Sequence, residues 1–83
     1  MKIRFLFNYA LKILDKIGIE KEYRARFGHY VEASKLVYTN DKNYIDIYLT
    51  NGDIIKDLNL QAIEIHGPHT IEEQPNVDND GND

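Results

Sequence analysis

The chain has 83 residues, of which 42% are hydrophobic, with a net charge of −4 and no cysteine or tryptophan. That length holds one small domain, and the missing cysteines exclude disulfide staples and thiolate metal sites. A core this small supplies no more than about 3–5 kcal/mol of stability, so association with a second copy or a larger partner is expected.

The first predicted element is an amphipathic helix. Ile3, Leu6, Phe7, Ala10, Leu11, Ile13, Leu14 and Ile17 recur at three-and-four spacing, and Gly18 is placed to end the helix in a left-handed turn. The basic, apolar start has the look of a secretory leader, but Asn8, Lys12, Asp15 and Lys16 interrupt it and no small-residue cleavage site follows. No run approaches the roughly 20 apolar residues of a membrane span, and a cytoplasmic location is expected.

After Gly18 the period shortens. Tyr23, Ala25 and Phe27 alternate with Arg24 and Arg26, which predicts a strand ended by Gly28. Residues 30–39 have no clean apolar face, yet their β-branched and aromatic content favours a second strand. Residues 40–43 form a turn cluster of Asn and Asp. The clearest strand covers residues 44–49, with Ile45, Ile47 and Leu49 on one face and Tyr44, Asp46 and Tyr48 on the other. Asn51-Gly52 predicts a type I′ hairpin turn leading into a strand at residues 53–56. In the final run, residues 57–66, the apolar phase slips near Gln61 and Ala62, predicting a bulge or short turn there.

The expected fold is therefore α+β. An N-terminal amphipathic helix precedes a small antiparallel sheet of four or five strands, either a curled sheet or an SH3-like barrel, over residues 1–67. Residues 68–83 read as a disordered acidic tail, because apolar residues thin out and the charge has one sign.

Charge is divided along the chain. Residues 1–30 carry seven bases and three acids, residues 31–66 three bases and six acids, and residues 67–83 five acids and no base. Such asymmetry governs partners and encounter rates rather than fold.

Signs of catalysis are absent from the sequence. Ser34 is the single serine and has no nucleophile-elbow context, and five scattered glycines build no phosphate loop. His66 and His69 frame a Gly-Pro without a third ligand, so neither a metal nor any other cofactor is expected, and the chain reads as a non-enzyme.

Two binding constellations remain. Tyr38, Tyr44 and Tyr48, with Asp46 between the last two, compose an aromatic sheet face suited to a larger protein partner. Glu72, Glu73, Asp78 and Asp80 would steer the encounter. This predicts a small interaction module of the inhibitor or regulatory-adaptor kind that phage and plasmid genes encode. The second constellation, Lys21, Tyr23, Arg24 and Arg26, is an alternative nucleic-acid site. A third reading is self-association into a homo-oligomer through the helix residues Phe5, Leu6, Phe7, Leu11, Ile13 and Leu14. The acidic tail could also fold back on that basic helix and screen it.

Overall fold

Alternation, not helical spacing, governs the start of the chain. In the computed structural model, which describes residues 1–74, Ile3 and Phe5 are buried between Lys2 and Arg4, and Leu11 and Ile13 are buried around an exposed Lys12. β1 (Lys2–Phe5) and β2 (Tyr9–Leu14) stand where the helix was expected, and no α-helix occurs among the described residues. The α+β expectation is thus replaced by an all-β fold. The apparent helical stripe came from counting Leu6, Phe7, Ala10, Leu14 and Ile17 as core. None of these is buried, and Phe7 and Ile17 are exposed. Alternate β-branched and aromatic side chains suit a pleated, half-buried surface better than a helix. The helix-borne self-association surface disappears with it, since Phe5, Leu11 and Ile13 belong to the core. No helix remains for the tail to screen.

The later elements are β3 (Glu20–Ala25), β4 (Tyr30–Tyr38), β5 (Tyr44–Leu49), β6 (Ile54–Asn59), a 3-10 turn at Leu60–Ala62, β7 (Ile63–His66) and β8 (Ile71–Glu72). Gly18 closes the β2–β3 hairpin with φ of 89°, the positive-φ role expected of it but in a different structure. The β5–β6 hairpin falls at Asn51-Gly52, but only Gly52 has positive φ, 98°. Its N–H donates to the Leu49 carbonyl (3.0 Å), and the Leu49 N–H donates to Asp53 (2.8 Å). This is a three-residue loop closed by a glycine bulge, not the type I′ turn expected.

Among the described residues eight strands form one sheet, seven of them in the order β3–β2–β6–β5–β4–β1–β7, in place of four or five. β8 runs parallel to β4, pairing Ile71 with Leu36 and Glu72 with Val37. The ordered sheet therefore reaches past residue 67, and Lys42 holds Glu73 at 3.0 Å. Asp78 and Asp80 lie outside the described residues. Among the described residues β3, β7 and β8 each have one neighbour, so the curled sheet does not close into a barrel. The curl brings the Tyr9 hydroxyl to the Ala62 carbonyl (3.2 Å) and packs Phe5 against Tyr9 and Tyr23 at ring separations of 6.0 and 6.1 Å. Ile3, Phe5, Leu36, Ile45, Ile47 and Ile55 fill the concave side.

Two irregularities decide which side chains face outward. A bulge between Ala33 and Lys35 reverses the phase of β4, turning Lys35 and Val37 outward and Leu36 and Tyr38 inward. A second lies where β6 slips against β5, and there Asp57 has φ of 60°.

Candidate interaction surface

The outer face of the sheet divides into a part that satisfies itself and a part that does not. Asp46 anchors the first. It is 8% exposed, and its Oδ1 accepts the Asp57 N–H (2.9 Å) while its Oδ2 accepts Lys56 Nζ (3.0 Å). The carboxylate thus supplies the partner that the slipped ladder denies to the bulged backbone. Tyr44 and Tyr48 flank it half-buried, and Lys35 Nζ lies 4.6 Å from the centre of the Tyr48 ring. Asp46 is consequently not the free surface charge anticipated between two anchors. Tyr38 is separated from both, because it pairs with Ile45 on the core side, and Lys42 Nζ sits 5.7 Å from its ring centre.

The basic constellation is split as well. Register places Lys21 and Tyr23 on the side of Leu11 and Ile13, whereas Arg24 lies opposite Ala10 on the outer side. Lys21 Nζ is 3.4 Å from Asp15. Asp15 also accepts the N–H groups of Ile19 (2.9 Å) and Ile17 (3.0 Å), and these bonds, the one from Ile19 foremost, hold its carboxyl below the usual range. Arg24 and Arg26 stay exposed.

The unsatisfied part lies over β1, β4 and β7. The bend at residues 6–8 and the loop at residues 26–29 run side by side. Phe5 N–H donates to His29 (2.9 Å), Gly28 N–H to Phe5 (2.7 Å), and Phe27 N–H to Asn8 Oδ1 (2.8 Å). Those bonds leave the Phe7 and Phe27 side chains 59% and 57% exposed. Register sets Arg4 between Tyr30 on β4 and Glu64 on β7. The Arg4 guanidinium lies 5.2 Å from the Phe27 ring centre and 3.5 Å from Glu64 Oε1. Glu64 in turn meets His66 Nε2 at 3.0 Å, and the His66 ring stands edge-on to Tyr30 at 5.4 Å. The hydrogen bond with His66, and after it the Arg4 charge, hold the Glu64 carboxyl below its ordinary range.

Phe27, Arg4, Glu64, His66 and Tyr30 therefore form one connected outward patch. It offers ring faces, a planar cation and two groups that accept or donate hydrogen bonds. Phe27 and Tyr30 were visible in the sequence beside the basic run; Arg4, Glu64 and His66 come from 23 or more residues away and carry no local signal. Ser34 donates to the Tyr48 carbonyl (3.1 Å). Among the described residues no three His, Asp or Glu side chains gather in a metal-binding group, and no helix is long and apolar enough to cross a membrane.

Comparison of the chain with protein-family models, with characterised proteins and with solved structures finds no match.

Proposed function

We propose that this chain is a small non-enzymatic interaction module that binds a larger protein through the Arg4–Phe27–Tyr30 patch, in the cytoplasm. The observation that carries the reading is the exposure of Phe27 and Tyr30, 57% and 49%, around an arginine that lies against both Phe27 and Glu64. Aromatic rings and arginine are the side chains that dominate binding energy at protein interfaces, and here they are already oriented. A fitting partner presents an apolar knob for the two rings and a carboxylate for the outer edge of the guanidinium. Inhibitors and adaptors work in this way, by occupying a surface rather than by turning over a substrate.

The test is capture from host extract on immobilised wild type and on Phe27→Ala/Tyr30→Ala, with circular dichroism showing that the variant keeps its sheet. A protein retained by the wild type and lost from the variant supports the reading. Equal retention by both, or retention of nucleic acid that is released steeply by salt, overturns it.

A further inference from the structure

The free edge of β3 has a sequence that is complementary to itself. Among the described residues only β2 pairs with β3, which leaves one row of its backbone N–H and C=O groups without a strand partner there. The alternation of the ladder identifies that row. Asp15 N–H donates to the Ile19 carbonyl (3.0 Å), so Lys21, Tyr23 and Ala25 bond inward to β2 while Glu20, Glu22 and Arg24 turn their backbone groups to the open edge.

A second copy could add in an antiparallel sense with its twofold axis at any residue of β3, since every residue-centred axis matches bonding groups to bonding groups. Axes at Glu20 and Lys21 set a charged residue against itself, and an axis at Ala25 sets Arg24 against Arg26. An axis at Glu22 sets glutamate against glutamate, and an axis at Arg24 sets arginine against arginine. An axis at Tyr23 sets Glu22 of each copy opposite Arg24 of the other, with Arg26 paired just beyond to Glu20, whose Oε2 also lies 3.7 Å from Lys12 Nζ of its own chain. No like charges meet in that register.

We propose that the chain forms a twofold homodimer by joining its β3 edges about Tyr23. Exposed Arg24 and Arg26, which form no ion pair among the described residues, find their carboxylates in the second copy. The other edges among the described residues, β7 and β8, are less suited: they are four and two residues long, and neither carries an arginine. Edge strands of natural proteins use charge to repel indiscriminate pairing, and this pattern of charge admits one pairing and rejects its neighbours. The dimer is independent of which partner the aromatic patch takes.

The experiment is sedimentation equilibrium of the full chain and two charge reversals. Wild type is expected to dimerise, with weakening as salt rises. Glu22→Arg and Arg24→Glu each place two like-charged pairs across the axis and raise the dissociation constant by about tenfold or more. Mixed together, the two variants regain association, since each then meets opposite charges. A wild type that stays monomeric, or an Arg24→Glu chain that dimerises as the wild type does, overturns the proposal. So does a mixture of two folded variants no heavier than its components. If Glu22→Arg does not fold, Arg24→Glu decides the matter alone, because residue 24 faces only Ala10 within its own chain.

Discussion

Replacing Asp46 separates its two roles. Its Oδ1 is the partner of the Asp57 N–H at a backbone position with φ of 60°, and its Oδ2 meets Lys56, whose side chain is 44% exposed. Asp46→Asn keeps a side-chain oxygen for the N–H and loses only the ion pair, which at that exposure is worth about 0.5–1 kcal/mol. Asp46→Ala removes both and strands the N–H, a loss of about 2–3 kcal/mol, since a hydrogen bond to a charged group contributes about 1.5–3 kcal/mol. Against a total of about 3–5 kcal/mol for so small a core, the alanine variant sits close to unfolding at room temperature. In thermal unfolding the gap between the two variants should be roughly 5–15 °C, since 1 kcal/mol moves the midpoint by about 4–8 °C in a domain of this size. Urea titrations give the same ordering through the midpoint, at unchanged slope. If Asn and Ala prove equally costly, the charge on Lys56 matters and the bulge does not need its acceptor, and the reasoning fails.

Tyr9 and Gly52 supply two further tests. Burial pushes the Tyr9 hydroxyl up to about 12 from its ordinary 10.0. The folded state therefore favours the neutral phenol, so this contribution is complete below pH 10 and fades as the pH climbs toward 12. After allowance for solvent screening it amounts to about 1 kcal/mol, and Tyr9→Phe should remove that alkaline limb from a stability–pH profile. Gly52→Ala must hold alanine at φ of 98° with its Cβ 3.1 Å from that of Lys16. Lys16 Cβ is fixed by its own backbone and cannot swing aside, and alanine is strained at that φ, so a loss of about 1–2 kcal/mol is expected by urea denaturation, and a neutral result would mean that the loop re-forms around another turn.

How much of this could be seen in the sequence varied with how local the cause was. β5 has the expected bounds because its alternation is strict and turn residues stand at both ends. The slip near Ala62 became a 3-10 turn, capped by Asn59 accepting the Gln61 N–H (2.8 Å). The helix reading failed because outward positions of β2 carry Ala10 and Leu14, apolar residues that complete a false stripe. Asp46 was correctly placed on the outer face, but its burial depends on the bulge at Asp57, and a Lys-Asp pair in a strand announces no bulge. The aromatic patch depends on the register of β1 with both β4 and β7, pairings between distant parts of the chain that no local spacing encodes.

The register about Tyr23 makes a prediction that charge substitutions cannot imitate. In that dimer the two Tyr23 residues face each other as a non-hydrogen-bonded pair, with Cα atoms about 4.5 Å apart. The two Glu22 residues stand diagonally, roughly 8–9 Å apart. A disulfide spans about 4.4–6.8 Å between Cα atoms, so the first separation fits it and the second does not. The chain has no cysteine, so an introduced thiol is the sole reactive one. Under mild oxidation Tyr23→Cys should convert to a covalent dimer faster than Glu22→Cys, and Arg24→Glu added to Tyr23→Cys should slow it. Equal rates for the two cysteine variants would place the contact elsewhere, because collision of unassociated chains favours the exposed position 22 over the half-buried position 23, the reverse of the order expected from the dimer.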